Sequence, residues 1–248
     1  MARLPRQLSK LQLYHVILRG IDKRTIFLSN EDYHKFLYYV SIAKEKCSFS
    51  LYAYCLMSNH VHMLIKSEEM ELGSIIKRIT VGYVQYHNNK YARTGHLFQN
   101  RFKSEPIEDE RYFLTVMRYI HQNPIKAGIV DKISVYPWSS YPAFIGNNAY
   151  KLVDTDKVLN FFPCIDRFID FTMTACEDSG LEYDVKKKYT DDELYKIISE
   201  KIDINKLNVV DIATRNVEII KIRNLSKASN RQLSRVLGIG RGILDRIK

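Results

Sequence analysis

The sequence predicts an α+β fold, a mostly antiparallel sheet covered by helices and followed by a mainly α-helical C-terminal part. Three observations carry this. Apolar and aromatic runs with strand composition recur, and two of them, "FSLYAYCLM" and "HVHMLIK", are separated only by a tight turn at Ser58-Asn59. Helical periodicity fills the gaps between them, in the order β-α-β-β-α-β-α. Past the turn cluster "GNNAY", at residues 146–150, the pattern becomes mainly helical, which places a domain boundary between residues 146 and 147.

In order, "LQLYHVILRG" reads as the first strand, closed by Gly20. "SNEDYHKFLYYVSIAKEKC" reads as a helix with Ser29 or Asn30 as cap, acids in its first turn, and Phe36, Val40 and Ala43 at helical spacing. After the hairpin, "ELGSIIKRITVGYVQYHNNKYA" is a second helix. "GHLFQNRFKSEPIE" is a loop running into an edge strand. "DERYFLTVMRYIHQNP" is a strong helix, capped by Asp109 and expected to stop at Asn123-Pro124.

Charge is unevenly distributed. The chain of 248 residues carries a net +10. Residues 1–146 hold 20 basic against 12 acidic residues, 147–220 hold 10 against 15, and 221–248 hold 8 against 1. Two basic segments flanking an acidic one suggest two polyanion-binding surfaces. No apolar run reaches the roughly 18–20 residues needed to span a bilayer, so no membrane partner and a cytoplasmic location are expected. Cys47, Cys55, Cys164 and Cys176 form no Cys-x-x-Cys pair, which speaks against a zinc finger or a disulfide scaffold.

The stretch "LMSNHVHMLI" places His60 and His62 two residues apart in a strand, hence on one face, with Val61, Met63 and Ile65 on the other. Two imidazoles side by side on a rigid sheet make half a divalent-metal site. Two hydrogen-bonded strand histidines are the alternative, and spacing does not choose between them. In "VMRYIHQNPIKAG", Tyr119 and Asn123 share a helix face with Tyr112 and Val116. An amide oxygen suits magnesium or manganese, and a tyrosine one turn away is placed to attack a group held there. Ordinary packing of one of 17 tyrosines is the alternative.

Taken together, "YHVILRGIDKRTIF", "LMSNHVHMLI", "RTGHLFQNRFKS" and "RYIHQNPIKAGIV" followed by "YPWSSY" resemble, in order, the HUH single-tyrosine transposases, specifically their REP-associated type. The resemblance covers about residues 10–145. It implies a ferredoxin-like or RRM-like sheet with the histidines on a central strand. It also implies cleavage and joining of single-stranded DNA, often beside a hairpin, through a 5′-phosphotyrosine, with Mg2+ or Mn2+ and without ATP. His60 and His62 match the metal-binding histidines, Tyr119 the nucleophile and Asn123 a third polar ligand. Gln122 competes with Asn123, lying about 100° away around the helix, and Tyr112 competes with Tyr119. Arg93, Arg101 and Lys103, interleaved with His96, Phe98 and Phe102, suit phosphate contact and base stacking, although the two phenylalanines also suit the core. Arg19 and Arg118 fit either phosphate contacts or salt bridges. Trp138 and Tyr141 read as structural. Monomer and homodimer are both open, and a nucleoid-associated location follows from a DNA partner.

"SNRQLSRVLGIGRGILDRIK", residues 229–248, reads as a helix–turn–helix. Asn230 or Ser229 caps the first helix, Leu233 and Val236 face inward, Gly238 makes the turn, and Ile243 and Ile247 face inward from the second helix. Arg241, Arg246 and Lys248 are then available to double-stranded DNA. A small packing bundle is the alternative. Two other functions fit parts of the pattern: a related HUH replication or transfer nickase, and a domesticated DNA-binding regulator without nuclease activity.

Overall fold

Seven residues of strand β1 (Leu13–Arg19) alternate between two buried faces. This is the signature of a central strand, and β1 takes that place. The computed structural model of the chain describes residues 6–146, 151–174, 190–200, 202, 204, 207, 210–226 and 228–247. Around β1 the elements follow the expected order: α1 (Asn30–Lys46), β2 (Phe49–Met57), β3 (His60–Ser67), α2 (Leu72–Lys90), β4 (Lys103–Ile107) and α3 (Glu110–Lys126). The sheet order is β2-β3-β1-β4, and every neighbouring pair is antiparallel. This is the ferredoxin-like arrangement.

Register decides which residues share the sheet face that matters here. Ile17 pairs with His62 and Arg19 with His60 across β1 and β3, while His15 pairs with Glu105 and Ile17 with Lys103 across β1 and β4. Paired residues point the same way. His15, Arg19, His60, His62, Lys103 and Glu105 therefore stand on one face, and α3 packs against β2 and β3 over it. Val16, Leu18, Val61, Met63 and Ile65 point to the other face and are buried in a core shared with Phe36, Val40, Ile75 and Ile79 of α1 and α2.

A buried carboxylate ties those two helices together. Ser29 caps α1 in a capping box with Asp32. Asp32, 0% exposed, also accepts from the Leu28 and Ser29 amides, Tyr86 Oη, Tyr91 Oη and Lys90 Nζ, at 2.7 to 3.0 Å. Burial pushes this carboxyl up. The hydrogen bonds from Lys90, Tyr91 and the two amides prevail, and its pKa falls to about 2.

Gly20 closes β1 under tight constraint. A Cβ there would lie 2.1 Å from the Arg24 carbonyl oxygen and 2.9 Å from Ile26 Cγ2. The Gly20 amide donates to the carbonyl of Asn59, next to His60. Gly20→Ala is expected to cost about 1–3 kcal/mol through this clash. Thermal unfolding checks it, as a Tm lower by roughly 5 °C.

Three expectations are corrected. Helix α3 does not stop at Asn123-Pro124 but runs through Pro124 to Lys126. A proline this close to a helix end removes one hydrogen bond and disturbs little beyond it. The first unit also extends past residue 146: the chain divides into Met1–Leu181 and Glu182–Lys248. Leu152, Val153, Val158 and Phe168, in and around α5 (Thr155–Leu159) and α6 (Ile165–Met173), pack into the first core together with α4 (Tyr141–Phe144). Residues 147–150 of the expected boundary lie outside the described residues. The third correction concerns the last helix. The second unit contains α7 (Asp191–Ser199), α8 (Ile212–Ser226), α9 (Asn230–Leu237) and α10 (Arg241–Arg246), with a separate apolar core. Ser229 caps α9, and Gly238 turns the chain in the left-handed region at φ 66°. That turn sets the phase of α10 so that Leu244 is buried and Ile243 is exposed, whereas Leu233 and Ile247 are buried as expected. Lys248 lies outside the described residues. Among the described residues no helix is long and apolar enough to cross a membrane.

Candidate active site

Strand alternation and pairing bring three histidines together. His60 and His62 have ring centroids 4.9 Å apart. His15 comes from the neighbouring strand, stacks on His62 at 5.2 Å, and places its Nε2 2.9 Å from His62 Nδ1. Helix α3 lowers Tyr119 onto this group. Its ring lies 5.7 Å from His62 and 6.0 Å from His15, both edge-on. Tyr119 is 2% exposed, and Lys126 Nζ lies 4.8 Å over its ring.

The histidines are held neutral. Burial, and then the Arg19 charge, push His60 down to about 4. Burial, then His15, His60 and Lys103, hold His62 well below the usual range. Burial also lowers His15, against the opposing pull of Glu105. Neutral imidazole is the form that binds a metal.

Hydrogen bonds further define the donors. Asn59 Nδ2 donates to the Lys23 carbonyl, which turns its Oδ1 toward His60 Nδ1 at 2.6 Å. His60 must therefore carry its proton on Nδ1, leaving Nε2 as a lone-pair donor. Asn123 Nδ2 donates to the Tyr119 carbonyl at 3.0 Å, which commits its nitrogen and leaves Oδ1 as the available end. Gln122 is turned elsewhere: its Nε2 donates to the carbonyls of Thr172 and Thr174, beside α6. Among the described residues no group of three or more His, Cys, Asp or Glu side chains forms a metal cage. Two neutral imidazoles make half of a site for a divalent cation that keeps open positions, and Asn123 offers an amide oxygen one turn beyond Tyr119.

The other candidates separate by position. Tyr112 Oη donates to Glu105 Oε1 at 2.7 Å, so its hydroxyl is committed beside the sheet. The Arg118 guanidinium stacks over Phe171 of α6 at 4.7 Å and so serves packing. Lys103 and Arg101 are exposed and Arg93 is half-buried, around the strand-facing loop. Phe98 and Phe102 pack partly against the core, and Arg6 stacks over Phe102 at 3.7 Å. Trp138 stacks on Tyr33 at 4.4 Å and Tyr141 is buried, both structural as expected. Arg241 and Arg246 are exposed on α10, with Arg241 3.4 Å from Asp245. Cys47, Cys55 and Cys164 are free thiols, and Cys176 lies outside the described residues.

Sequence reasoning missed His15, Glu105 and Lys126. The signal for His15 was a lone polar residue inside the apolar run "LYHVILR". That for Lys126 was its place two turns beyond Tyr119.

Comparison with known proteins agrees with the fold. Residues 9–123 match the family model described as IS200-like transposase. A Haemophilus influenzae protein assigned, by inference, as a REP-associated tyrosine transposase is 27% identical over 119 residues, covering 41% of this chain and 65% of the relative. The chain thus spans just under two thirds of that relative's length. The solved structure of a REP-associated tyrosine transposase bound to a REP hairpin superposes with a TM-score of 0.51 at 20% identity, over 63% of this chain and 90% of that one. At that identity the likeness concerns the fold. Over residues 9–123, which contain the histidines and Tyr119, the chain is similar to the IS200-like transposases.

Proposed function

We propose that the chain is a metal-dependent transposase acting on single-stranded DNA, cutting and rejoining it through a 5′-phosphotyrosine on Tyr119. The observation that supports this most is the Tyr119 ring seated 5.7 Å from His62, which shares its sheet face with His60, while Asn123 follows one turn after Tyr119 on α3. His60, His62 and Asn123 would hold the cation. Mg2+ or Mn2+ bound there supplies charge neutralisation at a non-bridging phosphate oxygen. The Tyr119 oxygen attacks phosphorus, the bond to the 3′ oxygen breaks, and that strand leaves as a free 3′-OH. The 5′ phosphate stays on Tyr119. An acceptor 3′-OH then attacks the same phosphorus and Tyr119 leaves, so the bond energy is kept and ATP is not used. Lys126, over the Tyr119 ring, favours the phenolate. Because Tyr119 is buried, engagement of DNA includes a movement that uncovers its hydroxyl.

Arg19 and Lys103 stand on this face, while Arg93 and Arg101 lie beside α2, and all four suit the phosphates of a flexible strand that passes the domain. The hairpin in the solved relative's complex makes hairpin-flanked sites the first substrates to try. Arg241 and Arg246 on α10 extend the reading to double-stranded DNA bound through the second unit.

The test is covalent capture. The purified chain is incubated with labelled single-stranded hairpin DNAs from the flanks of its own gene, then denatured in SDS. We expect an SDS-resistant adduct with Mg2+ or Mn2+ that disappears with EDTA and in His60→Ala, and that resolves to a joined product when an acceptor with a free 3′-OH is added. An adduct that water alone resolves, with no need for an acceptor, would identify a nickase. No adduct with any DNA, despite tight binding to the flanks, would replace the enzyme by a regulator.

A further inference from the structure

Two buried atoms in this region lack hydrogen-bond partners: His15 Nδ1 and Glu105 Oε2. They face each other at 3.9 Å. Buried polar atoms are rarely left unpaired without a reason, and here each is the other's complement. Glu105 is fixed from its other oxygen, because Tyr112 Oη donates to Oε1. His15 is fixed from its other nitrogen, which meets His62 Nδ1 at 2.9 Å.

We propose that Glu105 and His15 are positioning residues, forming a relay that holds His62 in the Nδ1–H tautomer and presents its Nε2 lone pair to the metal. This rests on reading His62 as a metal ligand.

The direction of the relay follows from lone pairs. Each ring carries one proton. Were His62 Nδ1 the acceptor, His15 would donate from Nε2, and its bare Nδ1 would face a carboxylate oxygen. Two buried lone pairs would then oppose each other. The carboxylate instead requires a proton on His15 Nδ1. That leaves His15 Nε2 as an acceptor, which requires the proton of His62 on Nδ1. The free lone pair of His62 is then on Nε2, matching His60, whose Nδ1 is committed to Asn59. The two histidines thus offer the same atom, each oriented by a hydrogen bond behind it. Such outer partners raise ligand basicity and fix ring orientation, and their loss typically weakens metal binding about 10–100-fold.

The experiment uses the full chain without DNA and has two readouts. Long-range proton–nitrogen NMR of the metal-free protein reports the tautomer of His62. Titration with Mn2+, followed by electron paramagnetic resonance, reports affinity. His15→Phe keeps ring volume in the buried position but removes the acceptor, and Glu105→Gln removes the charge. We expect Nδ1–H at His62 in the unaltered protein and loss of that single tautomer in His15→Phe. Mn2+ affinity should be about 10–100-fold weaker in His15→Phe and lower by a smaller factor in Glu105→Gln. Far-ultraviolet circular dichroism confirms that both variants fold. Nε2–H at His62 in the unaltered protein would overturn the relay. So would unchanged tautomer and affinity in both variants while His62→Ala abolishes Mn2+ binding. If the unaltered chain shows the stated tautomer and its dependence on His15 yet binds no Mn2+, the relay stands and the metal reading fails.

Discussion

Tyr119→Phe is expected to fold normally and to form no covalent adduct with any DNA strand, with capture reduced by at least ~10⁴-fold. The substitution removes one oxygen. The phenylalanine ring keeps the edge-on contacts with His62 and His15 and the stacking beneath Lys126. Binding of hairpin DNA, measured by fluorescence anisotropy, should therefore change little. That separation of binding from capture makes the result specific, since a variant that merely unfolded would lose both. An adduct that persists in Tyr119→Phe would transfer the role to another hydroxyl. Tyr112 would be tested next, although its Oη already donates to Glu105.

The second large effect is on stability. Asp32→Ala should lower stability by about 3–5 kcal/mol, the range seen when one partner of a buried ion pair is removed. The substitution strands two tyrosine hydroxyls and the Leu28 and Ser29 amides around a vacated site, and takes one carboxylate from Lys90 Nζ, which keeps Glu31 and Ser29 Oγ. Thermal unfolding should show a Tm lower by about 10 °C or more. The same carboxylate gives a pH signature. Its folded pKa of about 2 lies below the ordinary aspartate value of 3.8. Its contribution is therefore fully present above the unfolded value and is lost as pH falls from about 4 toward 2. Unfolding curves of the unaltered chain should lose stability across that window, and those of Asp32→Ala should lose less. Equal losses in both would assign the acid sensitivity to other carboxylates.

The strands and the histidine face were legible because alternation with period two is a local property. The helix bearing Tyr119 was legible for a similar reason, since its cap at Asp109 and its apolar spacing lie within one stretch of sequence. What escaped was pairing between distant strands. His15 has no patterned companion in its own run, and its meaning comes only from sitting beside His62 in register. Glu105 gains its role from β4 lying on the other side of β1. The unit boundary was misplaced for the same reason: Val158 and Phe168 look like ordinary helix residues until the core they fill is known. The face of α10 was misassigned because Gly238 sets its phase, and a turn angle is not written in the apolar pattern.

The sheet order β2-β3-β1-β4 also bears on how the protein comes into being during synthesis. The site has no local precursor, since its groups arrive on β1, β3, β4 and α3. A growing chain that has left the ribosome as far as β3 already displays His60 and His62, but it has no Tyr119. The tyrosine emerges later, and it is lowered onto the histidines only with α3, which follows all four strands. Closing long-range strand pairs is slow relative to forming hairpins and helices, so site assembly comes late in folding. On the proposed chemistry, a nascent or half-folded copy is therefore harmless to the DNA around it.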